Sequence, residues 1–363
     1  MGNARGGIAS APPDTLPVVN AHLAKLGLGV LQPDGVTSYR GRNTNWAGTT
    51  DIGVGVFVKR LWGSAEQCAL RMRRMRSFDD VMANAGLRTP RTIAALPDDG
   101  LVISELISGA QTSADVARAD GFTLDMARQA GAIIGRLHRC VDYGELDQSL
   151  PPLPPEAMCD VVSMEFYLSV TAAELAFWRL MQSDPLLCEV LVALRKRQAG
   201  AARVPAHCDL RLDQFLVDGD RLMLTDGEEF RLADPAWDVG AFAGEWLFQA
   251  VTGLVDAERQ QTLAEDPLTH EEVIRMGSAR LAERRPNTAA FWAAYRDVRP
   301  EADDQLAVRA TAFAGWHLMN RVLANAERSA RLTAPLRAAV GVGRQALQDP
   351  QRFVAALGLG GRP

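Results

Sequence analysis

Two short polar stretches in the second half of the chain contain the residue types that phosphoryl transfer requires. In "HCDLRLDQ", His207 is followed by Asp209, Arg211 and Gln214, and "LMLTDGEEF" places Asp226 twelve residues after Gln214. Transfer of a phosphoryl group from a nucleotide needs a carboxylate that orients the acceptor hydroxyl, a cation beside the moving group, and oxygen ligands for a divalent metal. Together the two stretches predict a phosphotransferase.

Each of these side chains has a predicted role. Asp209 would orient the acceptor and take its proton, and Arg211 would hold the negative charge of the transferring group. Gln214 and Asp226 are the predicted ligands of Mg²⁺, since hard oxygen ligands and phosphates suit this ion. His207 completes the catalytic set, more as a support of the loop than as a reactant. Glutamine is one methylene longer than asparagine and would displace the metal on an unchanged backbone, so a protein that binds nucleotide without transfer stays an alternative.

A lysine in the first part of the chain could supply a cation for the nucleotide phosphates. Lys59 follows the apolar stretch "VGVFV", where a rigid strand would present it to the α and β phosphates. Glu66, in the helical stretch that follows, is the predicted partner that fixes this lysine. Both residues also have structural explanations, because a lone strand lysine is usually solvated and a first-turn acid is stabilised by the helix dipole.

Two further segments would hold the rest of the nucleotide. In "YRGRNTNW", backbone amides and the side chains of Asn43 and Asn45 would cover the phosphates, although the stretch contains no G-x-G-x-x-G and a plain hairpin fits it equally. In "VISEL" and just after it, main-chain groups near Glu105 and Ile107 would contact the adenine where one lobe crosses to the other.

The elements around these motifs predict an α+β chain with two lobes. Short stretches rich in Val, Thr and aromatic residues predict an antiparallel meander, with "PRTIAAL" and "GLVISELI" as two further strands. Later, helical periodicity dominates and is interrupted by the hairpin "QFLVDGDRLMLTD". We predict a flexible N-terminus over 1–15, a nucleotide-binding N-lobe over 16–107 with a small antiparallel sheet, and a larger helical C-lobe over 108–363 with the catalytic loop and acceptor site.

Composition excludes several classes of function. The chain has 363 residues, of which 47% are hydrophobic and 23% charged, and its net charge is −5, so neither nucleic acid nor a membrane surface is an expected partner. Its five cysteines are dispersed and form no C-x-x-C pair, which indicates reduced thiols rather than disulfides or a zinc site. The sequence has neither a signal peptide pattern nor an apolar run of bilayer length, so we expect a cytoplasmic protein.

In this order, the motifs resemble those of the aminoglycoside phosphotransferase and choline kinase superfamily, which is related to protein kinases. The resemblance rests on H-x-D-x-x-x-x-[N], with Gln214 at the amide position, then the hairpin, Asp226 and "DPAWDVG", and covers roughly residues 30 to 330. It implies a bilobal protein-kinase-like fold, the use of ATP and Mg²⁺, and a structural role for Asp238 as a brace of the catalytic loop. The interval from Asp226 to Asp234 leaves no room for a protein-kinase activation segment, and no A-P-E follows.

A narrower resemblance concerns one group of these kinases. The stretches "GRNTNWAGTT", "VFVKRL", "HCDLRLDQFLV" and "DGEEFRLADPAWDVGAFAGEWL" are similar to the kinase subunit of class V lanthipeptide synthetases, the lexapeptide type, and Gln at position 214 fits this group better than the antibiotic kinases. The resemblance implies phosphorylation of Ser and Thr hydroxyls in a ribosomal precursor peptide with a leader and a core. A separate lyase would then eliminate phosphate to give dehydroamino acids, which makes lyase and cyclase subunits candidate partners.

Two charged sets bear on the identity of the acceptor. Four arginines of one predicted helix could bind an acidic leader, although such a run is usually a solvated face; they are Arg71, Arg73, Arg74 and Arg76. Four acids near the active loop could instead serve a cationic acceptor such as an aminoglycoside or choline, or support the metal; they are Glu228, Glu229, Asp234 and Glu245. A small-molecule O-phosphotransferase is therefore the alternative enzyme.

Overall fold

The computed structural model describes residues 8–9, 16–39, 43–154, 156–253 and 270–360. The strands are β1 (Ile8–Ala9), β2 (Ser38–Tyr39), β3 (Thr44–Thr49), β4 (Gly55–Arg60), β5 (Thr92–Leu96), β6 (Leu101–Glu105), β7 (Gln111–Thr112), β8 (Val204–Ala206), β9 (Phe215–Asp218), β10 (Arg221–Leu224) and β11 (Arg231–Ala233). The helices are α1 (Leu16–Lys25), α2 (Ala65–Asn84), α3 (Ser113–Arg118), α4 (Leu124–Arg139), α5 (Met164–Ser169), α6 (Ala172–Gln182), α7 (Pro185–Gly200), α8 (Ala236–Thr252), α9 (His270–Val298), α10 (Leu306–Ala326), α11 (Ala334–Gln348) and α12 (Pro350–Leu357). The segment 1–15, which we expect to be flexible, lies outside the described residues apart from β1.

A four-stranded antiparallel sheet, in the order β3–β4–β6–β5, forms the first part of the fold. Side chains alternate between its two faces, as they must on a pleated strand. Val58 and Ile103 pack with Trp46 in an apolar core that includes α1, whereas Val102 packs with Met72 of α2. The sheet is therefore covered by α1 on one face and α2 on the other. The predicted α+β fold, with a small antiparallel sheet and a larger helical part, is confirmed.

Helix α2 connects this sheet to the helical part of the molecule. It begins at a capping box, in which the Ser64 hydroxyl accepts a hydrogen bond from the Gln67 amide and the Gln67 side chain accepts one from the Ser64 amide. Its first half packs on the sheet, and its second half contributes Phe78, Val81 and Met82 to the larger core. Helix α2 thus packs against both the sheet and the helical part.

The helical part packs tightly because glycines allow two pairs of backbones to approach. A Cβ added at Gly131 of α4 would lie 2.1 Å from the Phe291 carbonyl oxygen of α9, and one at Gly240 of α8 would lie 2.4 Å from the Ala310 carbonyl oxygen of α10. Neither distance is sterically allowed. These four helices, α4, α8, α9 and α10, support the two segments that contain the polar motifs.

Two short antiparallel pairs bring the polar motifs together. Strand β8, which leads into "HCDLRLDQ", pairs with β11, which follows "DGEEF", and places Ala206 opposite Arg231. Strands β9 and β10 form the predicted hairpin, whose turn contains Gly219 with a φ of 62°. Within the described ranges, no helix is long and apolar enough to cross a membrane.

The close approach of α4 and α9 predicts a stability effect. Gly131→Ala should lower the free energy of unfolding by about 1–3 kcal/mol, because the added methyl group forces the helices apart in a packed core. Chemical denaturation measures the change. Gly144→Ala is the matched control, since an added Cβ there meets nothing within 4 Å. Equal stability of the two variants would contradict the packing described.

Candidate functional site

The catalytic loop runs from His207 to Gln214, between β8 and β9. Cys208 in this loop has a φ of 65°, and Asp226 on the facing loop has a φ of 68°. This left-handed conformation is uncommon for residues other than glycine and persists only where the surroundings enforce it. Both loops therefore require external support.

Asp238, in the first turn of α8, supports the catalytic loop. Its carboxylate accepts hydrogen bonds from the His207 amide at 2.7 Å and the Cys208 amide at 2.9 Å, while the Trp237 indole donates to the Cys208 carbonyl at 2.9 Å. The Nε2 atom of His138 in α4 lies 3.0 Å from the same carboxylate oxygen that accepts from the His207 amide. Burial alone would raise the pKa of Asp238, but His138 and the loop amides hold it below its usual value, so an ionised brace fixes the turn.

Asp209 and Arg211 project from this loop as a partly exposed pair. The Arg211 guanidinium lies 3.4 Å from the Asp209 carboxylate and donates to Asp213 at 2.9 Å. Burial raises the pKa of Asp209, an effect that Arg211 partly offsets and that nearby Asp226 reinforces. A carboxylate with a raised pKa is a better proton acceptor than an ordinary aspartate.

His207 connects the two loops. Its Nε2 donates to the Thr225 carbonyl at 2.8 Å, and its Nδ1 lies 3.4 Å from the Asp209 amide. The Thr225 amide in turn donates to the Gln214 carbonyl at 2.9 Å. His207 is fully buried and Gln214 nearly so. The structure thus places His207 as a support of the loops and holds Gln214 beside the segment that carries Asp226.

Lys59 of the sheet forms an ion pair with Asp226 of the helical part. Its ammonium group contacts the Asp226 carboxylate directly and lies 3.4 Å from Glu228. Burial alone would lower the pKa of Lys59, but these two carboxylates hold it above its usual value, and Lys59 likewise holds the pKa of Asp226 below its usual value against burial. The predicted phosphate-binding lysine and the predicted metal ligand are therefore brought into one cleft.

The carboxylate that supports Lys59 is Glu228, and the predicted pairing with Glu66 is wrong. Glu66 lies exposed in the first turn of α2, where the helix dipole favours an acid. Glu228 also lies 2.7 Å from the Arg71 guanidinium and accepts a hydrogen bond from Asn43 at 3.0 Å. Sequence reasoning missed Arg71 as a member of this cluster, because a helical arginine carries no sign of which way it points.

The other predicted nucleotide contacts lie in the sheet and in the segment that follows it. Asn45 is buried opposite Lys59 in the pairing of β3 with β4, and Asn43 belongs to the Glu228 cluster. Residues 40–42 of the predicted phosphate loop lie outside the described part of the chain. Glu105 ends β6 with its amide bound to the Arg91 carbonyl, and the Ile107 carbonyl closes a turn by accepting from Ala110. The segment from Glu105 to Ile107 joins the sheet to the helical part.

The cleft has the chemistry of a divalent-cation site that a nucleotide completes. Within the described residues there is no group of three or more His, Cys, Asp or Glu side chains that could hold a metal by itself. Mg²⁺ needs only one or two protein carboxylates when phosphates supply further ligands. Asp226 is an ionised carboxylate that already accepts a cationic nitrogen, so its environment fits a positive charge, and Gln214 would supply an amide oxygen.

The family of this chain follows from a match to a model of one protein family. A model described as "Phosphotransferase enzyme family" matches residues 41–275, a range that contains both loops and Lys59. The chain belongs to this phosphotransferase family. No curated protein sequence matches it.

Solved structures agree with the family assignment at the level of the fold. An amicoumacin kinase, hAmiN, in complex with AMP-PNP, Ca²⁺ and Ami, is 15% identical, with a TM-score of 0.58 over 93% of this chain and 94% of that chain. A choline kinase from Cryptosporidium parvum Iowa II is 11% identical, with a TM-score of 0.52 over 94% of this chain and 98% of that chain. These identities are low, so the likeness establishes a kinase-like fold for this phosphotransferase and leaves its acceptor open.

The four helix arginines do not form one docking face. Arg71 and Arg74 point inward, where Arg71 contacts Glu228 and Arg74 pairs with Asp147 and Glu229. Arg73 and Arg76 are exposed. The hypothesis that all four bind a leader is therefore wrong for the two that form internal ion pairs.

The four acids near the active loop are also internally paired. Glu228 is bound by Arg71 and Lys59, and Glu229 by Arg74 and Arg231. Asp234 pairs with Arg309 at 2.8 Å, while Glu245 lies 2.8 Å from His317 and 3.1 Å from Arg321. Arg321 and His317 outweigh the effect of burial and lower the pKa of Glu245 to about 2. These acids therefore compensate internal cations.

A small pocket adjoins the Asp209 carboxylate on the side of the helices. Its volume of ≈ 20 Å³ is roughly that of one or two water molecules. Aromatic side chains, Trp237, Phe313 and Trp316, share its lining with the polar residues Asp209, His317 and Asn320. The pocket is therefore small and of mixed polarity.

The ion pair between Lys59 and Glu228 predicts that Glu228 contributes more to the free energy of unfolding than Glu66 does. Glu228→Gln should lower the free energy of unfolding by about 3 kcal/mol, because it leaves Arg71 and Lys59 buried with less compensating charge. Glu66→Gln is the matched control and should stay within about 0.5 kcal/mol of wild type. Urea denaturation compares the two. A larger loss in Glu66→Gln would restore Glu66 as the partner of the lysine.

Proposed function

We propose that this phosphotransferase uses ATP and Mg²⁺ to phosphorylate Ser and Thr hydroxyls of a ribosomal precursor peptide. The observation that carries the proposal is the contact of Lys59 with Asp226, because it joins the predicted phosphate-binding cation to the loop beside Asp209. The amicoumacin kinase of similar fold is described with AMP-PNP and Ca²⁺, which supports a nucleotide and a divalent ion in the equivalent cleft.

The residues of the cleft divide the reaction between them. Lys59 would bind the α and β phosphates, and the Asp209 carboxylate would orient the acceptor hydroxyl and take its proton as the bond from its oxygen to the γ-phosphorus forms. The bond from that phosphorus to the bridging oxygen breaks, and ADP leaves. Arg211 would hold the charge of the transferring group. When bound through Gln214 and Asp226, Mg²⁺ would neutralise charge on the phosphates.

The paired state of the acids supports a neutral acceptor. A cationic acceptor needs carboxylates that are free to bind it, whereas Glu228, Glu229, Asp234 and Glu245 each already meet an internal cation. The pocket beside Asp209 has room for one small hydroxyl-bearing group. A seryl or threonyl side chain meets both conditions, with the rest of the peptide lying outside the pocket.

A neutral small molecule is the second candidate acceptor. The aromatic walls of Trp237 and Trp316 could flank a compact ring or chain that bears one hydroxyl group. In the peptide case, the phosphate would then be eliminated by a separate lyase, and a cyclase would act on the dehydroamino acids. These subunits are proposed partners, and their genes beside this one would favour the peptide.

Intact-mass spectrometry with Mg·ATP tests the function. If a short Ser- and Thr-rich precursor peptide is encoded beside this gene, that peptide should gain the mass of one phosphoryl group per modified site. Asp209→Asn should lower the transfer rate by about 10²–10⁴-fold because the proton acceptor is lost, while nucleotide affinity measured by calorimetry stays unchanged. If the peptide gains no mass and a neutral small molecule is phosphorylated, the acceptor is a small molecule and not a peptide. If Asp209→Asn keeps full activity, Asp209 has no catalytic role.

The raised pKa of Asp209 predicts a pH profile. The residue must be ionised to accept the proton, so kcat/KM should fall about tenfold per pH unit once the pH drops below this pKa. Because burial raises that pKa, the fall should begin at a higher pH than for an exposed aspartate. Steady-state rates across mildly acidic buffers measure it. A profile that stays flat to the usual range of aspartate would exclude this assignment.

A further inference from the structure

A second and larger cavity lies on another side of α2 from the Glu228 cluster, since Met72 lines it and the adjacent Arg71 pairs with Glu228. This groove, of ≈ 520 Å³, runs between α2 and β5. Met72, Met75, Arg76 and Asp79 line one wall, at the spacing of a single helix stripe. Residues 91–95 line the other wall, and Val102 also borders the groove. A groove of this size is within the range of ligand sites in proteins.

The strand that forms this wall is the outer strand of the sheet. Strand β5 pairs with β6 on one side only within the described residues, so alternate backbone groups face outward, as at any sheet edge. A bulge between Thr92 and Ala94 interrupts its pairing, and Asp79 is hydrogen-bonded by the hydroxyl and amide of Thr92. The hydrogen bonds between Asp79 and Thr92 connect α2 to β5 at the groove. Ala94 and Ala95, which follow on the same edge strand, also line the cavity.

A small side chain keeps the groove open. Ala95 occupies a strand position where a bulky β-branched residue would otherwise fill the space, and it packs with Met72 and Met75. Ala94 packs on the opposite face of the sheet. The part of the groove beside Ala95 is therefore apolar, as the side chains on one face of an extended ligand would require.

The charges at the rim favour an acidic ligand. Three guanidinium groups border the groove, on Arg76, Arg88 and Arg91. Of the two carboxylates there, Asp79 is turned to Thr92, which leaves Asp80. Arg88 is only loosely associated with an acid, at 3.9 Å from Asp218, and its side chain is 59% exposed. The exposed rim is thus predominantly cationic.

We propose that this groove binds an extended acidic segment of the acceptor peptide, apart from the hydroxyl groups that are phosphorylated. Apolar side chains would face Met72, Met75 and Ala95, the alternate acidic side chains would meet the arginines, and the backbone would pair with the edge of β5. This inference rests on the proposed peptide function. It replaces the four-arginine helix face with a groove to which α2 contributes one of these four arginines, Arg76.

Fluorescence anisotropy on the full chain without nucleotide tests the groove. The probe is a fluorescein-labelled peptide of about ten residues that alternates Glu and Val, and a peptide that alternates Lys and Val is its control. The double change Arg76→Glu and Arg91→Glu should weaken binding of the acidic probe by about tenfold or more. Ala95→Leu should do the same by filling the groove. Arg73→Glu is the matched control, because Arg73 is exposed on the same helix but does not line the groove, and should leave affinity unchanged.

Several outcomes would overturn the proposal. They are no binding of the acidic probe, equal binding of the lysine probe, or an equal loss in Arg73→Glu. If Ala95→Leu lowers the thermal midpoint, the arginine variants still decide. A dimer in sedimentation that Ala95→Leu dissociates would make a second copy the occupant instead. Because binding is measured without ATP, a failure of phosphoryl transfer is detected separately. If the enzyme phosphorylates a precursor peptide and the arginine variants leave the KM for that peptide unchanged, the groove is rejected and the proposed function is kept.

Discussion

The contact of a buried lysine, Lys59, with a half-buried aspartate, Asp226, joins the sheet to the helical part of this molecule. Charges removed from water must be paired, since leaving one partner alone costs several kcal/mol. Lys59 comes from the sheet, Asp226 and Glu228 from the helical part, and Arg71 from the helix between them. Each of these side chains compensates another, so these ion pairs tie the sheet, α2 and the loop that carries Asp226 to one another.

Apolar packing on α2 reinforces the same arrangement. The Phe78 ring contacts the rings of His207 and Phe230 edge-on, at centroid distances of 5.7 Å and 5.6 Å. Gly227 lies so close to Phe78 that an added Cβ would be 2.3 Å from the ring. The glycine after Asp226 is thus required by this contact, and one helix holds both loops through charge and through packing.

Most of the acids near the predicted catalytic loop are paired inside the protein. From the sequence alone, so many acids near this loop suggest a cation-binding surface. In the folded chain they neutralise arginines that support the loops, as Asp234 does for Arg309 and Glu229 for Arg231. Asp209, the predicted proton acceptor, is partly exposed, and burial raises its pKa.

The sequence by itself determined the elements, the order of the motifs and the reaction class. Glycine and capping residues mark α2 and the β9–β10 hairpin locally, and the spacing of His207, Asp209 and Asp226 reflects chemistry that depends on a short loop and a turn. Tertiary structure decided which acid supports Lys59, because Glu228 lies 169 positions further along the chain than the lysine and only folding brings the two together. The direction of each arginine on α2 was decided in the same way, since helical spacing gives its angle around the axis but not what lies opposite. Long-range pairing of buried charges depends on the whole fold, and no local pattern specifies it.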